Sequence, residues 1–126
     1  MTFMLMTKPG PEPLPPPTPE LMAAIAKLTD EMRASGVLVS TGGLYPSAKG
    51  ARLRLAGGKI TVTDGPFAET KEMIGGYAIV KVKSKEEALE ISRRFMQIHA
   101  DVLGSSYELD AEARQMYEPS DPVPGN

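Results

Sequence analysis

The chain has no cysteine, no tryptophan and a single histidine. Without cysteine there is no disulfide, no thiolate nucleophile and no Cys-ligated metal, and His99 alone cannot build a His-rich metal site within one chain. No excess of basic residues exists either. Fourteen Lys and Arg face 16 Asp and Glu, a formal net charge of -2, which leaves no electrostatic footprint for nucleic acid or an anionic membrane. Long hydrophobic runs are also absent. The opening Phe3-Met4-Leu5-Met6 is too short for a signal-peptide core or a membrane span and runs at once into Lys8-Pro9-Gly10. A cytoplasmic chain with no nucleic-acid partner and no membrane partner is expected. No GxGxxG turn, P-loop or nucleophile elbow is found, and no cofactor and no metal are expected.

Proline, by contrast, is plentiful. Seven of the twelve prolines lie between Pro9 and Pro19, where they exclude helix interior and central strand because proline lacks the N–H and fixes φ. An extended loop of polyproline II character is predicted there. Pro13 to Pro16 matches a PxxP ligand motif, and a stiff strand-to-helix connection explains the same residues. At 126 residues the chain suits one domain, read as 1–118 with the proline loop inside it and a flexible tail over 119–126.

Phe3 to Met6 reads as a strand covered on both faces. Thr18 is an N-cap with Pro19 at the first helical position, and Leu21, Ile25, Leu28 and Met32 form one buried stripe, ended by Gly36. Val37-Leu38-Val39 is a short strand before a turn-rich stretch from Gly42 to Gly50. Arg52 to Leu55 and Lys59 to Thr63 alternate with period two across Ala56-Gly57-Gly58, the pattern of a hairpin. In Tyr77 to Val82 one alternate set, Ala78, Val80 and Val82, is wholly apolar and the other, Tyr77 and Ile79, largely so, as a doubly covered central strand requires. Ser84 to Glu87 is a capping box for a second helix with Ala88, Ile91, Phe95 and Ile98 on its buried stripe. A last strand alternates from Tyr107 through Leu109, Ala111 and Ala113.

The order strand, helix, strand, hairpin, strand, helix, strand predicts an α+β fold: a ferredoxin-like antiparallel sheet with two helices on one face. Two helices cover only one face. The apolar residues on the other face call for a second copy of the chain, so a homodimer with sheets packed face to face is expected, pairing as a dimeric α/β barrel.

Chemistry concentrates in Asp64 to Glu72, between two strands. Asp64 either accepts hydrogen bonds from the amides of a turn at Gly65-Pro66, or stands at a cleft mouth as general base or ligand anchor. His99 either complements the end of the second helix or, brought near Asp64, forms an acid–base pair suited to proton transfer near neutral pH. Lys49, Arg52 and Lys71 either serve solubility or line a pocket for a small organic or anionic ligand, with Tyr45, Phe67 and Tyr77 as its apolar walls.

Thr63 to Glu72, followed by Gly75-Gly76-Tyr77, is similar to the signature of the YCII-related family, in the branch named for its DGPF motif. The resemblance extends back over Gly43 to Arg52, forward through Lys83 to Ala88, and more loosely to Glu112–Glu118. It covers about Leu21 to Glu118, with the proline tract outside. The resemblance implies a dimeric α+β barrel, related in shape to muconolactone isomerases and small cofactor-free monooxygenases. Better-studied members are thought to use a His–Asp pair, with the His on the first helix. Asp64 matches that Asp, whereas the stretch from Thr18 to Gly36 contains no histidine. Phe95 to His99 resembles one subgroup that carries a His near this place. The implied function is a cofactor-independent acid–base enzyme acting on a small organic molecule. The alternative is a non-catalytic ligand-binding or regulatory dimer in a sigma-factor-linked pathway.

Overall fold

The first strand, β1 (Thr2–Lys8), buries Phe3 and Leu5 toward the helices and turns Met4 and Met6 the other way. The computed structural model describes residues 1–10, 12, 14–67 and 73–122. Helix α1 (Pro19–Ala34) starts where the sequence places it: the Thr18 hydroxyl accepts from the Leu21 N–H at 3.1 Å, and Pro19 occupies the first turn, where no N–H is needed. Gly36, at φ +78°, takes the left-handed position beyond the helix that only glycine adopts without strain. Strand β2 (Leu38–Gly43) begins one residue later than expected and runs through Gly42 and Gly43, which read as turn. Pairing with the neighbouring strand overrides their low strand propensity, and Gly42 makes room for the Tyr77 ring: a Cβ there would lie 3.1 Å from it.

A 3-10 turn (Ser47–Lys49) leads into β3 (Ala51–Ala56) and β4 (Lys59–Asp64). The two are joined by Gly57-Gly58, with φ +57° and +75°, the pair of positive values a tight hairpin turn needs. Strand β5 (Gly76–Lys81), helix α2 (Lys85–Leu103) and strand β6 (Asp110–Gln115) complete the chain. The last strand is shorter than its alternation suggests, since Tyr107 and Leu109 precede it. At the start of α2, the Ser84 hydroxyl accepts from the Glu87 N–H as a capping box requires. The returning Glu87 carboxylate accepts from the Lys83 N–H, one residue before the expected partner. Residues beyond β6 close a turn through hydrogen bonds between Glu118 and Asp121, so 119–121 are folded back rather than extended.

The main sheet has the order β2-β5-β1-β6 with every neighbouring pair antiparallel, which is the ferredoxin-like arrangement of an α+β fold. Residues opposite one another share a face. The helix face therefore carries Phe3, Leu5, Ala78, Val80, Ala111 and Ala113, and the open face Met4, Met6, Tyr77 and Ile79, flanked by Lys8 and Glu112. Phe3, Leu5, Val80, Val82 and Ala88 form the packed core, with Val80 fully buried. Burying aliphatic side chains of this size stabilises by roughly 1.5–3 kcal/mol each. This core lies where β1 begins and β5 ends. The buried residues of α1, namely Leu21, Leu28 and Met32, are not part of this cluster and run along the hollow between the helix and the sheet. No described helix is long and apolar enough to cross a membrane.

Candidate functional site

Beside the core, the helices and the sheet part to leave a cleft of 890 Å³. Leu21, Ile25, Leu28 and Met32 of α1 form one wall, Ile91, Phe95 and His99 of α2 a second, and Leu5, Thr7, Gly76 and Ala78 the floor. Leu14, Pro15, Pro16 and Pro17 border the opening as a strap, with Met73 and Ile74 beside them. A smaller cleft of 440 Å³ lies between α2 and β6, and His99, Tyr107, Leu109 and Ala111 line both.

His99 lies inside α2, four residues before its end, and not after it as the sequence suggests. It is buried, so it does not act as a solvent-facing cap on the helix dipole. Its Nδ1 lies 2.9 Å from the Phe95 carbonyl oxygen, which can only accept, so Nδ1 carries the proton and Nε2 keeps its lone pair in the neutral ring. The ring packs against Phe95 at 4.6 Å and stacks on Tyr107 at 5.8 Å between centroids, 20° from parallel. The sequence reading took Tyr107 only as the start of the last strand and not as a partner of His99, although Gly104, at φ +90°, is the signal that the chain turns back there.

Asp64 ends β4, opposite Ala51, with its side chain in solvent. Among the described residues its carboxylate has no hydrogen bond or ion pair, and no contact or cleft wall joins it to His99. The motif works through its neighbours. The Gly65 N–H donates to the Gly50 carbonyl at 2.9 Å, and the Phe67 N–H to the Ser47 hydroxyl at 3.0 Å. A Cβ on Gly65 would fall 1.7 Å from the Ser47 carbonyl oxygen, so only glycine fits.

The cations predicted to hold an anion lie over aromatic rings at this hairpin root. Lys49 Nζ is 4.6 Å from the Tyr45 ring centre and the Arg52 guanidinium 4.1 Å from that of Phe67. Tyr45 and Tyr77 belong to the cleft wall; Lys49, Arg52, Phe67 and Asp64 do not. Lys71 lies outside the described residues.

A contact the sequence did not suggest ties the strap to this root. Glu12 accepts from both the backbone N–H and the hydroxyl of Ser47, at 2.7 and 2.6 Å. The Ser47 hydroxyl bond and then the Ser47 N–H bond hold the Glu12 carboxyl below its usual value of 4.5. Glu12 is the one carboxylate among the prolines of this tract, which is the signal that was available. The described residues include no group of His, Asp and Glu able to hold a metal.

Fold and cleft describe a small α+β domain with an apolar hollow between its layers. The chain matches the model of the YCII-related domain over residues 1–109, and it belongs to that family. The match takes in the proline tract, which the motif resemblance had left outside. The chain is also similar to an uncharacterised protein of Rhizobium meliloti (strain 1021), 36% identical over 87 residues, or 69% of this chain and 67% of the relative.

Proposed function

We propose that this protein is a homodimer that binds a small, largely apolar organic molecule in the cleft between helices and sheet. The observation that carries the reading is the cleft itself: 890 Å³ walled by aliphatic side chains, within the range of ligand pockets. Its polar lining is mostly hydroxyls, Thr7, Thr29 and Tyr107 among them, with His99 and the Ser47-bound Glu12 but no described Lys or Arg, which suits orienting hydrogen bonds to a neutral molecule rather than recognition of an anion. The apolar open face of the sheet supports the second copy. Binding of the uncharged apolar dye Nile red tests the cleft. Saturable binding that is lost when Ile25→Trp fills the wall, with circular dichroism unchanged, is the expected result. Absence of saturable binding, or binding untouched in the folded variant, overturns it.

A second reading rests on His99, the one imidazole in the chain and part of the cleft wall. With Nδ1 anchored to a carbonyl, Nε2 is the ring atom free to take a proton from a bound molecule. Asp64 lies off that wall, so such proton transfer is the work of His99 without the carboxylate partner.

A further inference from the structure

The β3–β4 hairpin is apolar on one side and in solvent throughout. Leu53 opposes Val62 and Leu55 opposes Ile60, so all four share a face, and they are 63–71% exposed. Arg52, Arg54 and Lys59 share the other face. The two strands make their extensive contacts only with each other. An isolated two-stranded hairpin is marginal in water, and an apolar face on it is ordinarily covered.

We infer that this hairpin is an arm exchanged between two copies of the chain, its Leu53, Leu55, Ile60 and Val62 packing on the open sheet face of the partner copy. The inference rests on the homodimer reading and specifies how that dimer is held. Three observations select a second copy as the occupant. First, the described chain carries two apolar surfaces with no described element packed over them, the exposed hairpin face and the half-buried patch of Met4, Met6, Tyr77 and Ile79, and they do not cover one another. Two surfaces of that kind on one molecule are satisfied together by a closed two-fold exchange.

Second, the hairpin's direction is fixed at its root by the Gly65-to-Gly50 and Phe67-to-Ser47 hydrogen bonds and by the close approach of Gly65 to Ser47. The arm is therefore held out from its own sheet. Third, the areas match. The four exposed side chains offer on the order of 500 Å² per arm, and two arms with the sheet faces they cover reach the roughly 1,200–2,000 Å² of a stable interface. The hairpin's cations lie on the rear face and stay hydrated when the apolar face is covered, so docking desolvates no unpaired charge.

The absence of cysteine makes the test clean. Sedimentation equilibrium at tens of micromolar compares the unaltered chain with Leu55→Glu/Ile60→Glu, whose substitutions lie on an exposed hairpin that carries no part of the packed core. In parallel, Ile60→Cys and Ile79→Cys chains are mixed and oxidised. The expected results are a dimer that becomes a monomer in the double variant, and a disulfide-linked species of twice the chain mass formed in the mixture above the level of either chain alone. A dimer that persists in the double variant, with no such cross-link, overturns the arm and leaves the homodimer standing. A monomeric unaltered chain overturns both.

Discussion

One carboxylate, Glu12, holds both the N–H and the hydroxyl of Ser47, joining the strap beside the cleft to the turn at the hairpin root. Ser47 in turn accepts from the Phe67 N–H through the same hydroxyl. Strap, 3-10 turn and the start of the segment after β4 are thus fastened at a single serine.

Replacing Ser47 by Ala removes two of the three links at once, because the hydroxyl both donates and accepts. Hydrogen exchange is expected to quicken by about tenfold at two amides, that of Phe67, which loses its acceptor, and that of position 47, whose Glu12 acceptor is held by one bond fewer. The amides of the packed core, Val80 among them, should exchange at their original rate. Faster exchange at one amide only would show that the serine does not couple them.

Gly65→Ala should be among the costly substitutions in the chain. The new methyl carbon meets a backbone oxygen, not the end of a pliable side chain, and relief requires the hairpin root to move. A loss of about 2–4 kcal/mol in urea unfolding is expected. Gly43→Ala is the control: its Cβ meets nothing within 4 Å, and its effect should stay within about 0.5 kcal/mol.

The geometry of His99 predicts its tautomer. Nitrogen chemical shifts of the neutral ring should show the proton on Nδ1. His99→Phe keeps the packing on Phe95 and Tyr107 and should cost about 1 kcal/mol, whereas His99→Ala opens a cavity and should cost about 3 kcal/mol. Turnover of a bound compound, measured beside dye affinity, separates the two readings of the cleft. Binding kept in His99→Phe marks an apolar site, and loss of turnover of a bound compound with binding kept marks a proton carrier.

Stability should fall in acid through identifiable groups. Glu12, Glu31 and Glu112 are held below the usual 4.5 by hydrogen bonds from Ser47, Arg94 and Lys8 respectively. A carboxyl whose folded value is depressed adds stability that is fully present above its unfolded value and lost as pH falls through the folded one. Denaturation midpoints should be flat from neutrality to about pH 5 and decline below it. The decline should be shallower in Glu12→Gln and in Glu112→Gln, and an unchanged acid limb in both would show that other groups set it.

Much of the fold was legible because it is local or periodic. The Thr18-Pro19 start, the Gly36 stop and the alternation of Arg52 to Thr63 each follow from a few neighbouring residues. Gly42 and Gly43 misled, since their place in β2 depends on β5, a strand some 35 residues away. The burial of His99 was hidden for a similar reason. Its companions are the neighbouring turn of its own helix and Tyr107, and no spacing rule ties a histidine to an aromatic beyond a helix end. Asp64 drew attention by its motif, while Gly65 and Ser47 carry the observed contacts, a division that only the close approach of two backbones reveals.

The strap has a consequence for how a molecule would lie beneath it. Pro15, Pro16 and Pro17 follow one another along the opening and contribute carbonyls but not one amide hydrogen. On the proposed ligand-binding reading, a guest with a carbonyl or an ether oxygen would find no backbone donor from those three residues and would turn that end inward, toward the hydroxyl of Tyr107. Its hydrocarbon end would then be left beneath the prolines. A stiff tract of this kind has little freedom to surrender beside a guest, so on that reading the loop expected as a connector would bear on both the polarity and the entropy of binding.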